Sequence, residues 1–153
     1  VYSPVVSNLH AVTFDRERRA ALALPSVTMS NVWMGVGGLL AVLVDGRNTE
    51  EAGPPEPRSL VGWSADGRHL YLVAMDGRQP GYSEGATPAE AAGFLQQLGA
   101  HNALNLDGGG STTLVLARRG RGTRVVNRPS DHAFGLLQRP VGTSLGVRFR
   151  VKD

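Results

Sequence analysis

The chain has 153 residues, 41% hydrophobic and 19% charged, with a formal net charge of +3. That length suits one domain with a real core, and the lack of cysteine excludes disulfides, thiol catalysis and zinc–thiolate sites. No apolar run approaches 18 residues, which excludes a helical membrane span.

Residues 1–37 show no clear periodicity, no secretory signal, and a start at Val1 rather than Met, which reads as a processed product or fragment. Residues 38–46 read as a strand running into an Asp45-Gly46 turn, and the proline-bearing stretch 47–58 as a loop. A hairpin follows: residues 60–64 and 69–75 flank Asp66-Gly67, an Asp-Gly pair between apolar runs. The spacing then predicts a helix over about 88–98. Thr87 serves as N-cap, Pro88 opens the first turn, Glu90 completes a capping box, and Gly99 stops the helix. Ala91, Phe94, Leu95 and Leu98 are assigned to its buried face. A buried strand leading to Asp107 comes next, then strands near 113–117, 123–127 and 144–151. One helix among about eight strands gives an α+β fold: a mixed β-sheet of short strands with one well-defined helix packed on it. Glycine-rich loops lie at the strand ends, and residues 1–153 form a single domain.

The isoelectric point near 9.9 raises the question of nucleic acid. Arginine supplies almost all the positive charge, and it is scattered except at 118–124, between two apolar runs. That cluster reads as a solvated hairpin tip without interleaved aromatics, so no nucleic acid partner is expected.

Asn105-Leu-Asp-Gly-Gly-Gly-Ser-Thr-Thr113 is not explained by packing. Asp107 closes an apolar run; Gly108, Gly109 and Gly110 let backbone approach a ligand closely; Ser111 and Thr112 add hydroxyls. A two-residue Asp-Gly turn would suffice for a mere reversal, so the extra glycines point to a site. Asp76, Asp107 and Asp131 offer carboxylates for acid, base or nucleophile roles. Arg58, Arg78 and Arg139 suit bidentate binding of a phosphate or carboxylate. Each of these residues, taken singly, also has a plain reading as turn or solvated surface. His132 beside Asp131 is a candidate proton carrier. A serine-hydrolase elbow, a Walker loop and a dinucleotide fingerprint are all excluded, because the glycines lack the required Ser, Lys or helix context.

The block 103–113 resembles the signature of the phosphodiester glycosidase family. Similar in order are Pro57-Arg58-Ser59-Leu60-Val61-Gly62, Leu72-Val73-Ala74-Met75-Asp76-Gly77-Arg78, Gly85-Ala86-Thr87 with its helix, Asn127-Arg128-Pro129-Ser130-Asp131, and Arg139-Pro140-Val141. The resemblance covers roughly residues 36–149. It lacks the Asn-Gly-Gly-Phe-Phe-like segment usual upstream; Gly35-Val36-Gly37-Gly38 is a partial echo. The chain therefore looks like the C-terminal portion of such a domain, with a further N-terminal segment or a second chain as partner.

The resemblance implies hydrolysis of a sugar-1-phosphodiester on a carbohydrate, releasing sugar and a phosphomonoester. Asp107 is the principal catalytic carboxylate, with Asp76 or Asp131 as its partner. Arg58, Arg139, Asn105, Gly108, Gly109, Gly110, Ser111, Thr112 and Ser130 are expected to bind substrate or phosphate. A secreted or cell-envelope location and an exopolysaccharide-type substrate go with it. No obligatory cofactor is expected. Two alternatives stand beside this reading: a non-catalytic module binding carbohydrate or polyanion, and a phosphodiesterase using Mg2+ or Ca2+ on Asp76, Asp107 and Asp131.

Overall fold

The apolar stretches 40–44, 60–63 and 103–104 do not alternate with polar residues, as expected of strands covered on both faces. The computed structural model, which describes residues 9–24, 31–118, 120–131 and 138–148, shows that covering. In chain order, β1 (Ala11–Phe14), β2 (Ala20–Ala23) and β3 (Met34–Gly37) form a three-stranded sheet, ordered β2-β1-β3. β4 (Leu40–Val44), β5 (Arg47–Asn48), β6 (Arg58–Trp63), β7 (Leu70–Met75) and β8 (Asn102–Asn105) form a second sheet, ordered β5-β4-β8-β6-β7. Helix α1 (Pro88–Gln97) lies between β7 and β8 in sequence, and β9 (Val115–Arg118) pairs with β10 (Gly122–Val125) as a separate ribbon. All these pairings are antiparallel. The architecture is α+β.

Two cores share the five-stranded sheet. On one face Val42, Leu43, Leu60 and Ala103 pack with Ala91, Ala92 and Leu95 of α1. Val61, Trp63 and Leu104 form the other with Val12 of the three-stranded sheet, joined by the half-buried Phe14, Leu72 and Leu106. Adjacent residues such as Leu60 and Val61, or Ala103 and Leu104, thus serve opposite faces, as strand geometry requires.

The α1 cap is as the sequence indicates. The Glu90 amide donates to Thr87 Oγ1 at 3.2 Å, and the Thr87 amide donates to Glu90 Oε2 at 2.8 Å. That amide is the main influence holding the Glu90 carboxyl below its ordinary range. The buried face is narrower than expected. Pro88, Ala91, Ala92 and Leu95 are buried, while Phe94 and Leu98 are 45% and 46% exposed. Small alanines face the sheet, so the helix sits close to it and its larger side chains lie at the rim. Residues 144–148 form no strand; 149–151 and His132 lie outside the described residues.

The loop over 49–57 is fixed rather than free. Glu56 and Ala86 exchange backbone hydrogen bonds at 3.1 and 3.2 Å. Gly85, at φ +105°, lies directly on the Glu56 backbone, with no room for a side chain. Thr87→Ala should lower stability by about 1 kcal/mol in urea unfolding, because it removes one partner of the cap. Gly85→Ala should cost more, roughly 1–3 kcal/mol from the left-handed backbone alone before the clash is added. A Gly85→Ala protein as stable as its parent would contradict the close packing of 85 on 56.

Candidate active site

Asp107 owes its position to the central strand. The Leu39 amide donates to the Asn105 carbonyl at 2.8 Å, and the Leu106 amide donates to the Ser59 carbonyl at 2.8 Å. Both neighbouring strands therefore hold this one up to residue 106. Asp107 comes immediately after that hold, exposed, and among the described residues its carboxylate has no hydrogen-bond or ion partner. It stands on a rigid base with a free head.

The glycines that follow are dictated by crowding more than by turn conformation. Only Gly109 has a left-handed φ, at +58°. A side chain on Gly108 would come within 2.7 Å of the Pro57 carbonyl, and one on Gly110 would strike the Asp131 carboxylate. Residues 109–111 form one 3-10 turn. The Gly109 amide donates to Pro57, Ser111 to Gly108, and Thr112 to Gly109. Among the described residues the Gly108 and Gly110 amides are left without an acceptor.

Around this turn lies a cleft of about 350 Å³, bounded by Glu56, Pro57, Arg58, Arg78, Asn105, Asp107, the three glycines and Arg139. Arg58 is 8% exposed. Its Nε donates to the Ala86 carbonyl and its Nη2 to the Pro54 carbonyl, both at 2.8 Å, which leaves Nη1. Burial pushes the Arg58 guanidinium below its ordinary value, with the Glu56 charge acting against that shift. Arg78 pairs with Glu56, whose hydrogen bond raises the Arg78 value; Asp131 acts in the same direction from farther off. Arg139 Nη2 donates to Ser111 Oγ at 2.7 Å, and its Nη1 lies 3.6 Å from Asp131 Oδ1.

Asp76 is placed differently. Its Oδ1 accepts from Asn127 Nδ2 at 3.0 Å and from the Arg128 amide at 2.9 Å, and its Oδ2 accepts from Tyr82 at 3.1 Å. Asn127 Nδ2 also donates to the Thr112 carbonyl at 2.9 Å, and Asn127 Oδ1 accepts from the Leu114 amide at 2.7 Å. Asp76 is therefore joined to the signature turn through Asn127, and it does not line the cleft. Thr112 is buried, with Oγ1 accepting from Ser59 at 3.4 Å; Ser130 Oγ is buried without a partner among the described residues. Among the described residues no three His, Asp or Glu side chains gather to hold a metal ion, so Asp76, Asp107 and Asp131 form no joint oxygen set.

Arg58, Asn105, Asp107, Gly108, Gly109, Gly110 and Arg139 thus share one cleft, with Ser111 and Asp131 attached through Arg139. Sequence reasoning missed Glu56. The signal was its place inside Pro54-Pro55-Glu56-Pro57, a backbone too stiff for a passive loop. It also gave no role to Tyr82, or to the Asn127 side chain, whose partner Asp76 is distant in sequence.

The fold is similar to the catalytic domain of zebrafish N-acetylglucosamine-1-phosphodiester alpha-N-acetylglucosaminidase, a structure auto-inhibited by its pro-peptide. Identity is 23% and the TM-score 0.66, over 82% of this chain. The chain spans only 46% of that one. A hypothetical protein from Synechocystis is also similar, at 23% identity over 73% of this chain and 30% of that one, with a TM-score of 0.43. No curated protein sequence matches significantly. The family model for phosphodiester glycosidases matches residues 5–148, so the match begins well upstream of residue 36 and takes in the three-stranded sheet. With nearly its whole length matched, the chain belongs to the phosphodiester glycosidase family.

Proposed function

We propose that this chain takes part in hydrolysis of a sugar-1-phosphodiester, splitting the bond between the anomeric carbon and the phosphate oxygen. The observation that carries the reading is the unpartnered Asp107 carboxylate in the same cleft as Arg58, Arg78 and Arg139. A phosphomonoester departs readily with the electron pair of the broken bond, so proton donation to it matters less than for an ordinary glycoside. The needs are a carboxylate beside the positive centre that develops at the anomeric carbon and cations for the departing phosphate.

Asp107 fills the first need and takes the proton of the incoming water. Arg139 and Arg78 fill the second, with Arg58 Nη1 and the Gly108 and Gly110 amides as further donors. Glu56 and Asp131 are the carboxylates paired with Arg78 and Arg139, and we assign Asp131 the role of second catalytic carboxylate beside Asp107. In this reading Asp76 is a positioning residue that acts through Asn127 and Arg128, since its oxygens already have donors. The reading carries with it a secreted or cell-envelope location and an exopolysaccharide-type substrate. Fractionating cells of the source and assaying envelope polymers would test both.

Asp107→Asn should lower kcat on a nitrophenyl sugar-1-phosphodiester by about 10²–10⁴-fold while leaving the unfolding midpoint in place. Unchanged turnover would remove Asp107 from the mechanism. Substrate binding by the unmodified chain without any turnover would select the non-catalytic binding module instead. Arg139→Gln should lower kcat/KM about 10–100-fold, the loss expected for one charge-assisted hydrogen bond to phosphate. The loss should shrink with a substrate whose leaving group is uncharged. An equal loss on both would place Arg139 in the fold rather than at the phosphate.

A further inference from the structure

The β9–β10 ribbon contributes no side chain to either core. Its residues are exposed apart from the half-buried Val125. Residues 112–128 carry five arginines, no aspartate or glutamate, and no aromatic residue or histidine. Of the chain's 16 basic residues five lie here, and all 13 acidic residues lie elsewhere, so the rest of the chain is net acidic. Register puts Arg118 opposite Gly122 and Arg124 opposite Leu116. Arg118 and Arg124 are therefore diagonal neighbours on one face, about 7–8 Å apart at the backbone. Among the described residues Arg118, Arg121 and Arg124 have no carboxylate partner.

A solvated hairpin needs no such charge, and this one is tied to the cleft at its base. The Val126 amide donates to the Leu114 carbonyl at 2.9 Å. Asn127 holds both Leu114 and Thr112, and Asp76 holds Asn127 and Arg128. The Arg128 guanidinium lies 4.9 Å over the Tyr82 ring. The ribbon thus starts four residues after Ser111 and ends six residues before Asp131. Its direction relative to the cleft is fixed by side-chain hydrogen bonds.

We propose that this ribbon is a subsite for an anionic carbohydrate polymer. It holds further acidic groups of the chain whose scissile sugar phosphodiester lies at Asp107. The proposal rests on the glycosidase reading and narrows its substrate to polyanionic chains. Charge complementarity identifies the occupant: free guanidinium groups bind phosphate or carboxylate oxygens, and repeated negative charge engages several at once. Single-stranded nucleic acid has the charge too, but the ribbon offers no aromatic surface for stacking bases.

The test compares the parent chain with the triple variant Arg118→Ser, Arg121→Ser, Arg124→Ser on two substrates. One is a nitrophenyl sugar-1-phosphodiester, the other a polysaccharide of sugar-1-phosphate repeats. The variant should raise KM for the polymer about tenfold and leave kcat and KM for the small substrate unchanged. Binding of the same polysaccharide by the Asp107→Asn chain is followed against salt concentration, with and without the three substitutions. The three substitutions should flatten the log–log slope by up to about 2, the release expected for three lost contacts. An unchanged polymer KM with an unchanged slope would overturn the proposal. So would an equal loss on both substrates, or a single-stranded DNA of matched charge binding as tightly as the polysaccharide. If the parent hydrolyses neither substrate, the glycosidase reading fails, while the salt-dependent binding still decides whether the ribbon holds the polymer.

Discussion

Everything at the cleft depends on how tightly four stretches of backbone meet at residues 56 and 57. Pro57 is fully buried, and its carbonyl accepts the Gly109 amide at 2.8 Å. Gly108 is held against that same carbonyl, while Gly77 and Gly85 press on the backbone of 56–57 from the β7 and pre-helix sides. No side chain fits at these contacts, so glycine is required by contact distance at 77, 85 and 108. Arg58 then closes the arrangement by bonding across to Ala86 and Pro54. One compact junction therefore sets the relation of the carboxylate turn, the Arg78 loop and the start of α1.

Within that frame the charges of the cleft are sorted. Among the described residues Glu56 is paired with Arg78 and Asp131 with Arg139, while Asp107 has no partner and Arg58 retains a nitrogen beyond its two carbonyls. Arginine keeps its proton even when burial disfavours it, so the downward push on Arg58 leaves it a cation. On the proposed reading, an entering phosphate competes with the resident carboxylates for Arg78 and Arg139, which makes binding an exchange of partners. Such an exchange suits catalysis by difference: a cation that is shared in the resting site is engaged fully only when phosphate carries its departing charge.

Much of the scaffold could be read from local sequence. The Asp66-Gly67 hairpin and the Thr87–Glu90 cap rest on interactions a few residues long. The α1 face was misjudged because helical periodicity counts Phe94 and Leu98 by hydropathy and knows nothing of the sheet's closeness, which selects Ala91 and Ala92. The first three strands were illegible because neither a turn pair nor a regular apolar alternation marks them in residues 1–37. At the site, Asp107 and its glycines were conspicuous as a contiguous block. Asp76 was conspicuous for the same reason, yet its oxygens are engaged by Tyr82 nearby and by Asn127 and Arg128 some fifty positions away. Sequence shows which residues are chemically able; spacing alone does not show which of them the fold has already given a partner.

The same distinction separates the cleft from the ribbon. Three arginines of the cleft lie among three carboxylates, so its far field is weak and its action is local. Among the described residues Arg118, Arg121 and Arg124 have no such partners, and the positive excess of the whole chain is concentrated in residues 112–128. On the proposed reading, long-range attraction of an anion is a property of the ribbon, while its orientation against Asp107 is a property of the cleft. Because Asn127 joins the two through Thr112 and Asp76, neither can move far without the other. On the proposed reading, attraction and chemistry are carried by different arginines, Arg118, Arg121 and Arg124 for the first and Arg58, Arg78 and Arg139 for the second, which is why total charge reveals the first and only geometry reveals the second.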